Sequence, residues 1–447
     1  MSELKVSVSG IRGVWADSLT LETLRDYTQA FARYIRTHNG SKILMGRDAR
    51  PTGKMIAAYC ASILNAMGVT VIDTGIVPTP TVLFGVRKNN LAGGIIITAS
   101  HNPVEWNALK FVKKGGVFTG EADLAEIKGY LGQPIREAAY NRIGECFMDD
   151  QISDAHIEAV LKHVDRDAIA AKNFVVVLDP VNSAGSLIGQ WLLIKLGCKV
   201  KVVNGEMTGR FERGTEPTPQ NLTHLEAIVR EAGADIGFAQ DPDADRLVLI
   251  DETGKVLSEE LTLALAVEAV LSKKKGDVVI NMSTSRVIEE IAKRHGCKTF
   301  RTKVGEANVV EGIEGHKAVI GGEGNGGVIY PAINIGRDSL VGIGLVLELM
   351  AKRGKKLSEL VAELPKMEMI KEKFEVKGDF AKLLPAVRAA FPDAGVNDLD
   401  GLRFDFPDRW VHVRASNTEP VVRIIGEGSD TAALKADFEK IGKIVRG

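Results

Sequence analysis

Residues 42–48 read KILMGRD. An apolar run of strand length ends there in charged residues. MIAAYCASILNAMG (55–68) follows with helical spacing, and VTVIDTG (69–75) opens a second apolar run. A strand, polar loop, helix and second strand make a βαβ unit, whose strands run parallel because the helix returns the chain to the starting edge. Gly68 closes the helix, where a left-handed cap favours glycine. The pattern returns twice. NFVVVLDPVNSAG (173–185), SLIGQWLLIKLG (186–197) and CKVKVVNG (198–205) form one copy, closed by Gly197. DVVINMSTS (277–285), RVIEEIAKRHG (286–296) and CKTFRTKVG (297–305) form another, closed by Gly296. Three degenerate copies predict three related α/β domains with mixed, mostly parallel sheets. Beyond them LRFDF, WVHVRAS and VVRIIGE are short strands before the helical TAALKADFEKIGKIV. That is an α+β domain with antiparallel strands. Boundaries are expected near 150, 252 and 366, giving domains 1–150, 151–252, 253–366 and 367–447.

A chain of 447 residues exceeds what one core supports, in keeping with several domains. Hydrophobic residues make up 45% and charged residues 26%, ordinary for a soluble globular protein. The net charge of −1 supplies no basic field for nucleic acid or anionic lipid. Cys60, Cys146, Cys198 and Cys297 are scattered without a CxxC pair, and read as small buried hydrophobes in a reducing compartment. MSELKVSVSG has no apolar signal region. The longest apolar stretch, near LTLALAVEAVL, is about half a membrane span and contains Glu268. The expectation is a cytoplasmic protein with no nucleic-acid or membrane partner.

Four stretches carry groups capable of chemistry. TASHNP (98–103) follows the buried-strand pattern GGIII. On this stretch alone turn chemistry is the stronger reading, since Asn and Ser bond their own backbone and Pro fixes φ. The alternative makes Ser100 a nucleophile whose partners lie elsewhere. DPDADR (241–246) sits between the strand-like IGFAQ and LVLIDE. In an extended segment Asp241, Asp243 and Asp245 share one face. Three such carboxylates repel unless a hard cation sits among them, and oxygen ligands suit Mg²⁺ or Ca²⁺. Glu252 falls at the twelfth position of an EF-hand register, but Arg246 stands where that loop needs Gly and the flanks read as strands.

GGEGNGGVIYP (321–331) is either a plain glycine turn or a loop presenting Glu323 and Asn325, an acceptor and an amide suited to vicinal sugar hydroxyls. RASNTEPVVR (414–423) offers Arg414, Ser416, Asn417, Thr418 and Arg423 around a strand–turn–strand. Two guanidiniums, two hydroxyls and turn N–H groups suit a phosphate; a polar hairpin is the alternative. GRDARPTGK (46–54) is no Walker loop, because Met55 follows the Lys where Ser or Thr is needed.

Together, a serine, an acidic metal loop, a hydroxyl-reading loop and a phosphate cradle point to phosphoryl transfer on a phosphorylated sugar. SGIRG, GRDARPTG, TASHNP, WNALKF, DPDADR, GEGNGG and RASNTEP occur in this order along the chain. In that order they resemble the α-D-phosphohexomutase superfamily over the whole length, with GEGNGG similar to its archaeal-type branch. The resemblance implies a heart-shaped, four-domain protein with a central cleft. It implies that Ser100 carries a phosphate bound to Mg²⁺ held by Asp241, Asp243 and Asp245. Arg12 and Lys110 would contact that phosphate, His101 would support the loop, and Arg246 would lie beside the metal. Lys303, Glu323 and Asn325 would read the sugar, while Arg414, Ser416, Asn417, Thr418 and Arg423 would hold the distal phosphate. Transfer from Ser100 would form a hexose 1,6-bisphosphate that turns around and returns its other phosphate. The implied substrate is a glucosamine phosphate, with mannose or glucose phosphate as alternative, handled by a monomer or homodimer. Several relatives carry His where Gly327 stands, so the general acid/base is unassigned. Rival readings are a metal-dependent sugar phosphatase, which would not need the RASNTEP cradle, and a sugar-phosphate sensor, which would not need Ser100 with all three Asp.

Overall fold

A computed structural model describes residues 3–134, 136–376, 380–415 and 421–446. Each expected βαβ unit forms. Lys42–Arg47, Val175–Asp179 and Val278–Asn281 pair in parallel with Thr70–Ile76, Lys199–Val202 and Thr299–Thr302, across helices Gly53–Ala66, Gly185–Lys195 and Val287–Arg294. Gly68, Gly197 and Gly296 follow these helices at φ +77°, +82° and +71°, a conformation that glycine adopts without steric cost.

The repeat extends further than the sequence pattern shows. In each copy a third strand lies on the other side of the first, in parallel: Gly93–Ile97, Ile236–Gln240 and Ile320–Glu323. A fourth strand then turns back antiparallel: Trp106–Lys113, Leu247–Asp251 and Gly327–Ile329. The second and third sheets are four-stranded, and the first embeds the same unit in eight strands. TASHNP, DPDADR and GEGNGG therefore occupy one topological position, the turn between the third and fourth strands. A strand buried on both faces delivers its polar end there.

The fourth sheet has five antiparallel strands, adding Glu368–Glu375 and Gly395–Asn397 to the expected three, and helix Thr431–Arg446 packs against it. The second and third sheets share one continuous core. It runs through helices Glu260–Leu271 and Ser339–Arg353, which pack together and are buried almost throughout. An all-round apolar helix suits such an interior position. Among the described residues no helix is long and apolar enough to cross a membrane.

Two expectations need correction. Cys146 is exposed, not buried: Cys146–Met148 is an edge strand paired only with Thr70–Ile76, so its side chains lack a covering layer. The DPDADR carboxylates do not converge by strand alternation. The segment leaves the strand at Gln240 and turns at Ala244, φ +51°. Asp241 Oδ1 accepts the N–H groups of Asp245 and Arg246, folding the turn over its own first residue.

Candidate active site

Ser100 lies in the turn after Gly93–Ile97, 3% exposed and at φ +51°. A serine in the left-handed region costs free energy and persists only where its surroundings over-determine it. They do so here. Ser100 N–H donates to Thr98 Oγ1 at 2.9 Å, and Thr98 Oγ1 donates to Asp48 Oδ2 at 2.6 Å. Asp48 accepts Arg50 Nε at 2.9 Å. The rest of the Arg50 guanidinium donates to the carbonyls of Ser100, Asn102 and Pro103 at 2.6, 2.7 and 2.5 Å. Arg50 and Asp48 are fully buried, so GRDARPTGK, unfit for nucleotide, is the clamp of the serine loop. Sequence reasoning assigned neither residue; two opposite charges inside a motif otherwise short of a purpose were the available signal. Arg12 Nη1 donates to Asn102 Oδ1 at 2.7 Å, adding a second cation to the loop.

The loop reaches the metal-loop candidates directly. Ser100 Oγ donates to Asp241 Oδ2 at 3.1 Å. Lys110 Nζ, on the strand that follows the serine loop, donates to Asp243 Oδ2 at 2.7 Å, as does Thr79 Oγ1 at 2.7 Å. Arg337 Nη2 donates to Asp245 Oδ2 at 2.5 Å. One carboxylate oxygen from each of Asp241, Asp243 and Asp245 lies within 4.8 Å of the others, and all three residues are buried. Asp243 Oδ1 and Asp245 Oδ1 are buried yet accept no hydrogen bond from any N–H or hydroxyl among the described residues. One oxygen of each is thus pinned while the other is left over, as an oxygen-preferring cation would require.

The electrostatics agree. Burial, with Asp245 and Asp243 nearby, pushes the Asp241 carboxyl well above the usual range. Burial alone would raise Asp243 too, but the Lys110 ammonium and the hydrogen bonds to it hold that carboxyl low. A cation among the three carboxylates would offset their mutual repulsion. His101 Nδ1 is 3.5 Å from Ser100 Oγ. Arg246, burial and Arg12 depress the imidazole to about 2. The ring is therefore neutral at physiological pH and a poor base, in keeping with a supporting role. Arg246 donates to Glu216 Oε1 at 3.1 Å and approaches Asp245 Oδ1 at 3.8 Å.

Glu323 is 5% exposed and engaged at both oxygens. Oε1 accepts Asn281 Nδ2 and Gly305 N–H, and Oε2 accepts Arg337 Nη1 at 3.0 Å. Asn325 Oδ1 accepts Gly327 N–H at 3.2 Å, and Lys303 is exposed on the adjoining loop. Arg414 and Arg423 stand directly opposite each other on Arg409–Ala415 and Val421–Gly428. Like charges at paired positions destabilise a sheet unless an anion joins them. Arg414 Nε is 3.4 Å from Asp400 Oδ2, which also accepts Val304 N–H at 2.9 Å, linking this arginine pair to the Lys303 loop. Ser416, Asn417 and Thr418 lie outside the described residues.

Family descriptions of phosphoglucomutase/phosphomannomutase α/β/α domains I, II and III match residues 3–134, 154–254 and 258–367, and that of the C-terminal domain matches 361–441. The chain is 39% identical to a "Phosphoglucomutase/phosphomannomutase" of Thermococcus kodakarensis over 96% of each chain. It is 33% identical to a "Probable phosphoglucosamine mutase" of Methanopyrus kandleri, over 98% of this chain and 97% of that one. A crystal structure of a phosphoglucomutase/phosphomannomutase family protein from Burkholderia thailandensis superposes with a TM-score of 0.88 at 26% identity, covering 98% of this chain and 96% of the other.

Proposed function

Because the chain belongs to the phosphoglucomutase/phosphomannomutase family, and is thereby a phosphohexomutase, an isomerase acting on phosphorylated hexoses, we propose that Ser100 is the residue through which it moves phosphate between the 1- and 6-positions. The observation that carries this is the contact of Ser100 Oγ with Asp241 at 3.1 Å, in a strained loop facing three converging carboxylates. Asp241, Asp243 and Asp245 would hold Mg²⁺, which when bound supplies a Lewis acid for the phosphate charge. The phosphoryl group on Ser100 passes to the free hydroxyl of a hexose monophosphate. The Oγ–P bond breaks as the new sugar O–P bond forms, the sugar hydroxyl gives up its proton and Oγ takes one up, giving hexose 1,6-bisphosphate and free Ser100. The bisphosphate turns over, and its other phosphate returns to Oγ. Through both transfers Arg12 and Lys110 neutralise the reacting phosphate. Arg414 and Arg423 would hold the other phosphate, with Ser416, Asn417 and Thr418. Glu323, Asn325 and Lys303 would orient the sugar. Positioning and charge neutralisation are what phosphoryl transfer needs most from a protein.

Glucosamine phosphates are the first choice of substrate, on chain length and the name of the Methanopyrus relative. A second reading, phosphomannomutase/phosphoglucomutase, is favoured by the more similar Thermococcus relative. Turnover of glucosamine, glucose and mannose 1-phosphates, compared by kcat/KM, decides between them. The shared mechanism is tested by Ser100→Ala. Mutase activity is expected to vanish while the fold persists, and intact-mass spectrometry is expected to find a one-phosphate adduct only in wild type. Wild-type-like turnover by the variant would refute the role of Ser100.

A further inference from the structure

Gly327 opens the strand after the GEGNGG loop. A Cβ placed there would lie 2.2 Å from Arg337 Cδ and 2.8 Å from Arg337 Cγ. The Arg337 side chain thus fills the space that a side chain at 327 would enter. It cannot easily yield, because its guanidinium is committed on every side. Nε donates to Glu306 at 3.1 Å, Nη1 to Glu323 at 3.0 Å and Nη2 to Asp245 at 2.5 Å. Its backbone is equally fixed: Arg337 N–H donates to Glu306 Oε1 at 3.0 Å, and Asp338 caps helix Ser339–Arg353. The three carboxylates come from different segments: the DPDADR turn, helix Glu306–His316 and the GEGNGG turn.

We infer that Arg337 is a positioning residue that sets the metal loop against the sugar loop, holding Asp245 Oδ2 and Glu323 Oε2 on one guanidinium. Holding Oδ2 leaves Asp245 Oδ1 as the oxygen without a hydrogen-bond donor, which orients that carboxylate toward a cation. Holding Oε2 fixes Glu323 for the sugar. The planar guanidinium can span three carboxylates at set angles, whereas an ammonium cannot. The role rests on the family reading for the sugar, but its effect on cation affinity is measurable without turnover.

The test compares wild type with Arg337→Gln, Arg337→Lys and Gly327→Ala. Mn²⁺ affinity is measured by titration calorimetry on the full chain, and KM and kcat for the hexose 1-phosphate by mutase assay. Arg337→Gln is expected to weaken Mn²⁺ binding about tenfold or more and to raise KM. Arg337→Lys should recover only part of either. Gly327→Ala keeps the charge but displaces the side chain, so it should move both quantities in the same direction, and it carries the test if Arg337→Gln does not fold. Unchanged Mn²⁺ affinity and KM beside a lowered Tm would make Arg337 merely structural. Tighter Mn²⁺ binding in Arg337→Gln would make it a charge competitor, and full recovery by Lys would make its charge alone sufficient; each of these outcomes overturns the inference. A wild-type chain without mutase activity would instead count against the family reading of the sugar, leaving the cation affinities to judge Arg337.

Discussion

At the scale of single residues, the site divides one carboxylate into two tasks. Asp243 gives Oδ2 to Lys110 and Thr79 and leaves Oδ1 without a hydrogen-bond donor among the described residues, the oxygen a cation would take. Asp243→Asn keeps the shape but removes charge and puts a donor where an acceptor is needed. It is expected to weaken Mg²⁺ binding at least about tenfold, since even partners outside the coordination sphere have effects of that size. Excess chelator should abolish mutase activity and added Mg²⁺ restore it; full activity in chelator would refute the metal reading. Arg414 and Arg423 face each other across the sheet, and the proposed function gives both the distal phosphate. Arg414→Ala removes a charge-assisted contact that contributes roughly 1.5–3 kcal/mol, so KM for hexose 1-phosphate should rise about ten- to a hundredfold. Arg414→Lys should recover part of this. If KM stays constant and Ser100 loses its phosphate instead, Arg414 serves the reacting phosphate and the assignment is wrong.

At the scale of elements, one structural position recurs. The third strand of each α/β copy ends in a loop bearing Ser100, the three aspartates or Glu323 and Asn325, and the fourth strand returns antiparallel. The serine loop is held by a group outside it. Arg50, at the end of the first strand's loop, donates to three of its carbonyls and pairs with Asp48. Arg50→Ala leaves Asp48 buried without its cation, a change of about 3–5 kcal/mol in stability. Arg50→Lys keeps the charge but cannot reach three carbonyls, so it should fold with a lower Tm and lose most of its kcat. Thermal melts and steady-state kinetics on both variants check this; normal kcat in Arg50→Lys would show that the loop needs no clamp. The motifs were legible because they contain residue types with chemistry. Their clamp was not, since Arg50 reads as an ordinary surface arginine until the fold buries it.

At the scale of the whole molecule, His156 joins three sheets' worth of chain. Its Nδ1 lies 3.0 Å from Thr81 Oγ1 and its Nε2 2.8 Å from Asp338, while Asn334 Nδ2 donates to Asp338 and to the Pro80 carbonyl. Phe84 stacks on the ring at 4.9 Å. His156→Ala opens a cavity and strands part of Asp338, so a loss of about 2–4 kcal/mol is expected. In calorimetry the first α/β domain should then melt ahead of the second and third, which share one core. A single unshifted transition would contradict this. The C-terminal domain joins the third by a polar seam in which Glu427 accepts Ser285 Oγ and Arg286 N–H, and His412 meets Ser283.

The sequence by itself determined the repeat, the βαβ unit of each copy and the change of style near the C-terminus, and it marked Ser100 and three aspartates as candidates by their residue types. Those follow from periodicity and residue chemistry, which are local. Only the tertiary structure decided that DPDADR converges by a turn, that Cys146 is exposed on an edge strand, and that two of the expected domains share a core. It alone brought Arg50 to the serine loop and Arg337 to Asp245. Such pairings join residues far apart in the chain, here through the mutual burial of charges. An isolated arginine carries no mark of which carboxylate or carbonyl it will meet once water is excluded around it.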